Sequence, residues 1–501
     1  MYFNLEIISA GDSIKLSDHS GLVKFFIEAK LTRNILENFS GTLNITLNKI
    51  QEKYFLGKKG DEIIHYTEKS EPSVIFLKKV KLDEDFTVDF FRNYFAGLVP
   101  TLLKKEIKTI DVIVPLYEDY KKYFSSEEYF LQSMIEGIML GNYTFDKYKS
   151  EKEEGGNLKF ILHYSDKNLL QSVISNTKKI VESVYFTRDL VNEPAVTLTP
   201  MELGLRVKDE LTQHGVKIQI FDHKELKRRN MNAILAVGGS STKSPCMIIA
   251  HYKPKQKSVK KIALVGKGVT YDSGGLSIKP TSGMIDMKAD MAGGAAVFGI
   301  IRAAALLKLP LDIIGIVPAV ENMLAGNSFK PGDIIKSYSG KTIEIKDTDA
   351  EGRLILADAL HYASQQKPDE IIDMATLTGA CMVALGVFTA GLFTSYDQLA
   401  DNIIKSAEKT YEKVWRLPFW KEYNSLIKSE IADISNLGPR WGGAITAGKF
   451  LEHFVDKKIP WVHLDIAGPA IKHEFTNYTK KYDTGFGVRL LIDYLISSTQ
   501  N

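Results

Sequence analysis

Cysteine is scarce: the 501-residue chain holds only Cys246 and Cys381. That excludes a disulfide-stapled scaffold and leads us to expect a reducing, cytoplasmic setting. An excess of charge of one sign is missing as well. Lysine and arginine number 64 against 61 acidic residues, a formal +3, which offers no broad electrostatic attraction to nucleic acid. No uninterrupted apolar run reaches the roughly 18 residues of a membrane span, and Met1-Tyr-Phe-Asn-Leu-Glu6 has neither the basic stretch nor the apolar core of a leader. No membrane association is expected. What remains is ordinary globular material, 44% hydrophobic and 25% charged, long enough for more than one core.

The pattern predicts an α/β protein of two domains. Residues 1–165 read as a smaller N-terminal α/β domain. Its strand-like runs are Asn4–Ser9, Leu22–Glu28, Thr42–Leu47, Ile63–Thr67, Val74–Val80, Ile110–Tyr117 and Leu158–Tyr164, with helical spacing over Asp85–Lys105 and Ser126–Gly141. Its ionisable residues are scattered, so an assembly or shielding role is expected. The charged stretch Lys147–Gly156 reads as a solvated loop. Residues 166–193 form a connecting helix. Residues 194–501 alternate short apolar strands with helices, as in a central, mostly parallel sheet flanked by helices, with chemistry beyond the strand C-termini.

Two segments of this larger domain concentrate charge. One is Asp347-Thr-Asp349-Ala-Glu351-Gly-Arg353-Leu354, between the strand-like run Lys341–Lys346 and the helix-like run Leu354–Gln366. Extended alternation would turn Asp347, Asp349, Glu351 and Arg353 to one side. The other is Val265-Gly-Lys267-Gly-Val-Thr-Tyr-Asp272-Ser-Gly-Gly275, followed by Lys279-Pro280 and Met287-Lys-Ala-Asp290. Its glycines lack both the dinucleotide spacing and the lysine order of a P-loop. Asp272, Asp290, Asp349 and Glu351 are too many carboxylates for one small divalent ion but suit two ions sharing ligands, and oxygen donors favour Mg²⁺, Mn²⁺ or Zn²⁺. Spacing alone leaves a second reading open, in which these acids cap helices and pair with Lys267, Lys279 and Arg353.

The wording of these segments says more. Together with Arg188-Asp-Leu-Val-Asn-Glu-Pro194, Asp373-Met-Ala-Thr-Leu-Thr-Gly-Ala380, Trp441-Gly-Gly-Ala-Ile-Thr446, His463-Leu-Asp-Ile-Ala-Gly468 and Thr484-Gly-Phe-Gly-Val-Arg489, they closely resemble the signatures of the leucine (cytosol) aminopeptidase family, the two-metal hexameric exopeptidases. The resemblance covers roughly residues 180–501. It implies that Lys267, Asp272, Asp290 and Glu351 hold one metal and Asp272, Asp349 and Glu351 the other, as Mn²⁺ or Zn²⁺. A lysine ligand must be neutral, so Lys267 would need a strongly lowered pKa. A metal-bridging water would attack, Lys279 would stabilise the tetrahedral oxyanion, and Arg353 would hold a bicarbonate that shuttles the proton. Met287, Asp347, Thr376, Leu377, Gly379 and Ala467 would meet the substrate, with leucine and other apolar N-terminal residues of short peptides preferred. The position of Asp347 is more often asparagine in that family.

The resemblance also implies a homohexamer with enclosed active sites. A site-specific DNA-binding or structural protein on the same scaffold is the alternative; the complete set of charged positions argues against the structural version, and the modest net charge gives the DNA version no support. His361 and His463 read as packing or hydrogen-bonding histidines, both cysteines as small core residues, and Lys253–Lys261 as a solvated turn between strands.

Overall fold

A computed structural model describes residues 5–11, 20–43, 45–67, 73–151 and 157–499. The chain divides into two compact units, Met1–Lys178 and Lys179–Asn501. The division falls inside a helix, Lys167–Asn192.

The first unit is built on strands β1 (Leu5–Ala10), β2 (Ser20–Ile27), β3 (Glu62–Tyr66), β4 (Val74–Val80), β5 (Thr109–Ile113) and β6 (Leu158–His163). They form one sheet in the order β1-β6-β5-β2-β4-β3, parallel except where β3 meets β4. Helices Phe90–Lys104 and Glu127–Gly141 pack so tightly that a Cβ on Gly137 would lie 2.4 Å from the Arg92 carbonyl oxygen. Arg92, fully buried in this contact, pairs with Glu136 at 2.7 Å, as an interior charge requires.

Among the described residues, the expected strand Thr42–Leu47 is absent. Thr42 ends the helix Arg33–Thr42, whose N-cap Thr32 accepts a hydrogen bond from the Ile35 N–H. A second helix, Lys49–Leu56, starts on a capping box of Asn48 and Gln51. Both caps are of residue types that favour helix starts, and they set the local structure on either side of the β-branched run between them. Strand β5 stops at Ile113 instead of Tyr117, ahead of Pro115 and a 3₁₀ turn at Tyr117–Asp119. Asn4, Asn44 and residues 152–156 of the charged loop lie outside the described residues.

The second unit contributes β7 (Lys217–Phe221), β8 (Cys246–Tyr252), β9 (Lys260–Gly266), β10 (Gly268–Asp272), β11 (Leu311–Asn322), β12 (Ile334–Lys336), β13 (Thr342–Glu344), β14 (Glu370–Ala375), β15 (Ala390–Phe393), β16 (Val414–Arg416), β17 (Ile434–Ser435) and β18 (Trp461–Asp465). The main sheet runs β16-β15-β18-β14-β9-β11-β8-β7, with β10 paired beside β11. Its centre, β18-β14-β9-β11, is parallel, while β8 and β7 on one side and β15 on the other join antiparallel. A small sheet, β12-β13-β17, stands apart.

Ile262, Ala263, Leu264 and Val265 of β9 are all fully buried, so both faces of the sheet are covered, which is why these strands read as continuous apolar runs. Helix Ala292–Leu307 packs on β9, β11 and β14, and helix Glu351–Gln365 packs on β9 and β11. The segment Thr281–Leu307 is long and apolar enough by composition to cross a membrane, yet most of it is buried in this core. Strands β9, β10, β11, β14 and β18 all end at one edge of the sheet, bringing Lys267, Asp272, Asn322, Thr376 and Asp465 to the same end.

Candidate metal centre

Glycines bring the first acid into place. A Cβ on Gly266, the last residue of β9, would lie 2.6 Å from the Gly293 carbonyl oxygen, and one on Gly293 would lie 2.1 Å from that of Met374. Only hydrogen at both positions lets helix Ala292–Leu307 start directly over the strand ends. The Gly294 N–H donates to the Lys267 carbonyl at 2.8 Å, and the Lys267 N–H to that of Met374 at 3.1 Å. Asp290 stands just before this helix. The Lys267 ammonium donates to Asp290 Oδ1 at 2.8 Å and to the Thr376 carbonyl at 3.0 Å, and lies 2.9 Å from Glu351 Oε1.

Asp272 closes β10. Its Oδ1 accepts from the Gly274 N–H and from Asn322 Nδ2, each at 2.9 Å, and its Oδ2 is 2.9 Å from Lys279 Nζ. Lys279 also pairs with Asp349. The loop between them turns back through Gly274 at φ +86° and Gly275 at φ +66°, conformations that side chains resist. Thr348 fastens this loop to the second charged segment: its hydroxyl donates to the Gly274 carbonyl at 2.6 Å and accepts from the Ser277 N–H at 2.8 Å. Asn322 Nδ2 also reaches the Thr348 carbonyl at 3.0 Å.

The second segment is not extended. Glu351 is the first residue of helix Glu351–Gln365, which begins earlier than the apolar spacing from Leu354 suggests. Asp347 therefore does not line up with the others. Its Oδ1 accepts from the Asp349 N–H at 2.8 Å, bending the chain into the helix. Arg353 is buried in the helix's first turn, and its Nη1 donates to the Asn436 carbonyl at 2.8 Å.

Electrostatically the site carries an excess of acid. Oxygens of Asp272, Asp290 and Glu351, all buried, lie within 4.8 Å of one another. Burial, partly countered by Lys267, pushes the Asp290 carboxyl up to about 6. Burial and the charge of Asp272 push Glu351 up to about 8, and Asp349 is raised by the same two causes. Burial works against the charge on Lys267 and Lys279, but their carboxylate neighbours outweigh it and raise both. Burial lowers Arg353 to about 10. Without a cation, then, Lys267 holds its proton tightly, the reverse of what a neutral ligand needs. Four carboxylates face two ammonium groups, and among the described residues Glu351 Oε2 and Arg353 Nε have no hydrogen-bond partner. This donor set fits divalent cations, which would take over the charge now balanced by lysine and by raised carboxyl pKa values.

The expected substrate residues other than Asp347 fall into three groups. Thr376 belongs to the centre: its hydroxyl donates to Asp290 Oδ1 at 2.8 Å. Met287 is attached through its carbonyl, which accepts from the Asp290 N–H at 3.4 Å. Leu377 and Ala467, which follow β14 and β18, both donate their N–H groups to Asp465 Oδ1, at 3.3 and 3.2 Å. Gly379 is exposed and opens helix Gly379–Leu385; no contact joins it to the carboxylates among the described residues. Sequence reasoning missed Asn322, Thr348 and Asn436, which bond the acid-bearing loops to their neighbours, and Asp465, which bonds the segments after β14 and β18. The available signal was a polar residue at the end of an apolar strand, as at Asn322 and Asp465.

Residues 185–492 match the model of the cytosol aminopeptidase family, catalytic domain. The chain belongs to the cytosol aminopeptidase family. It is 41% identical to a probable cytosol aminopeptidase of Aquifex aeolicus over 507 residues, 99% of either chain. Its fold matches that of a tomato leucine aminopeptidase variant with a TM-score of 0.88 and 31% identity, covering 99% of this chain and 97% of that one. The bottromycin maturation enzyme BotP, solved in complex with Mn, aligns with a TM-score of 0.82 and 30% identity over 96% of this chain and all of that one. The protein is thus a metal-dependent aminopeptidase, a hydrolase acting on peptides, and its two-domain α/β fold is that of the leucine aminopeptidases.

Proposed function

We propose that this aminopeptidase removes leucine and other apolar residues from the N-termini of short peptides in the cytoplasm, as a homohexamer. The observation that carries the reading is the buried cluster of Asp272, Asp290 and Glu351 with the Lys279 ammonium at its edge. Lys267, Asp272, Asp290 and Glu351 would hold one divalent ion and Asp272, Asp349 and Glu351 the other, as Mn²⁺ or Zn²⁺. Bound there, such ions supply a water of lowered pKa and a polarised carbonyl.

The chain's own groups do the rest. Lys279 keeps its proton beside Asp272 and Asp349 and presents positive charge to the oxygen on which negative charge develops. Arg353, a buried guanidinium whose Nε has no partner among the described residues, would hold bicarbonate, whose contribution is proton transfer in a site whose carboxylates are assigned to the ions. In the metal-free chain the Lys267 ammonium spans Asp290, Glu351 and the Thr376 carbonyl and fixes the two acid-bearing loops against each other. Met287, Asp347, Thr376, Leu377, Gly379 and Ala467 form the walls against which the peptide rests.

The test is hydrolysis of leucine p-nitroanilide by metal-stripped protein supplied with Mn²⁺, Zn²⁺ or no metal, beside a Lys279→Ala variant. Metal should restore activity in the wild type and leave the variant lower by roughly 100-fold or more in kcat, the scale of losing one preorganised donor. Equal rates for stripped protein, reloaded protein and variant would end this reading.

A further inference from the structure

We propose that Asp465 is a positioning residue for peptide hydrolysis, locking together the two strand-end segments that wall the pocket for the substrate's first side chain; the inference rests on the pocket proposed above. Asp465 is the last residue of β18 and pairs in register with Ala375, the last residue of β14. Its carboxylate is fully buried and points along the strand ends. Oδ1 accepts from the N–H groups of Leu377 at 3.3 Å, Thr378 at 3.5 Å and Ala467 at 3.2 Å. Oδ2 accepts from the Thr378 hydroxyl at 2.6 Å. One side chain thus clasps residues 377–378 on one strand end and residue 467 on the other.

The direction of the Thr378 bond is fixed. Thr378 Oγ1 is the N-cap of helix Gly379–Leu385 and accepts from the Cys381 N–H at 3.0 Å, so its own proton is free to go to Asp465. Helix, loop and strand end are chained in series. The adjoining residue, Thr376, carries the chain into the catalytic centre, its hydroxyl on Asp290 and its carbonyl on Lys267. A loosened clasp would therefore shift the pocket wall and the lysine's anchor together, and misplacement on the scale of 1 Å costs on the order of 100-fold in rate.

Beneath it, His463 Nδ1 lies 2.6 Å from Asp373 Oδ1, and Trp461 Nε1 donates to Asp373 Oδ2 at 2.7 Å. These two bonds tie β14 to β18 within the seam, while those of Asp465 reach both pocket segments.

The experiment compares kcat and KM for leucine and alanine p-nitroanilide in metal-loaded wild type, Asp465→Asn, Thr378→Val and Thr378→Ser, with melting temperature and bound metal measured for each. Asp465→Asn and Thr378→Val should lose about 10- to 100-fold in kcat/KM for the leucine substrate, with KM rising more for leucine than for alanine. Thr378→Ser, which keeps the hydroxyl, should restore wild-type behaviour. Wild-type selectivity in both of the first two variants would overturn the inference. So would equal losses on the two substrates that track a fall in melting temperature, since that marks a purely structural acid. A wild type inert toward both substrates would instead remove the peptidase reading, and the inference with it.

Discussion

A Cβ on Gly352 would lie 2.4 Å from Cε of Lys267: the helix that starts at Glu351 can approach the lysine only because its second residue has no side chain. Lys267 has no room to withdraw, since Asp290, Glu351 and the Thr376 carbonyl hold its ammonium. Gly352→Ala should therefore push the lysine out of register with the carboxylates. The expected loss is about 100-fold in kcat/KM, with a melting temperature within a few degrees of wild type. Steady-state kinetics beside calorimetry check it; unchanged kinetics would show that the lysine's placement is not critical.

Asn322 joins the two acid-bearing loops by donating to both Asp272 Oδ1 and the Thr348 carbonyl. Partners that orient ligands typically govern metal affinity by about 10- to 100-fold. Asn322→Leu fits the same space without the donors, so it should weaken Mn²⁺ binding by that factor in isothermal titration. Retained affinity would mean that Asp272 is held well enough by the Gly274 N–H and Lys279.

Asp358 lies far from this chemistry in function but not in the fold. It is fully buried in helix Glu351–Gln365, accepting from the Ala233 and Ile234 N–H groups at Oδ2 and from the Tyr338 N–H at Oδ1. Burial pushes its pKa from an ordinary 3.8 up to about 7. Between those values the native state binds a proton that the unfolded chain has released, so stability falls as pH rises through 7. Asp358→Asn turns an NH₂ group toward N–H donors and should cost about 1–3 kcal/mol at pH 5. The gap should narrow by pH 8, because only the wild type carries the titration. Melting curves of both proteins across that range decide it, and a widening gap would reverse the sign of the argument.

Much of this arrangement was legible in the sequence. The apolar runs at β8, β9, β11, β14 and β18 gave the doubly covered sheet, since burial on both faces leaves no polar alternation. The acids Asp272, Asp290 and Glu351 stand out because they crowd two short segments, at the end of β10 and at the starts of two helices, instead of being scattered like the ionisable residues of the first unit. What misled was local geometry. The alternation of acids through Asp347–Arg353 suggests an extended chain, but the Asp347 carboxylate accepts from the Asp349 N–H and a helix starts at Glu351. The short strands β12, β13, β16 and β17, of two or three residues each, carry too few positions to show a period. The clasp at Asp465 was hidden for another reason: it depends on β14 and β18 being neighbours, although Ala375 and Asp465 stand far apart along the chain.

Counting bound ions decides whether these carboxylates gather a pair of divalent cations. Equilibrium dialysis of chelator-stripped protein against Mn²⁺, followed by elemental analysis, should give two ions per chain for the wild type and fewer for Glu351→Gln, whose carboxylate is assigned to both ions. No retained metal in the wild type, or an undiminished count in Glu351→Gln, would contradict the account.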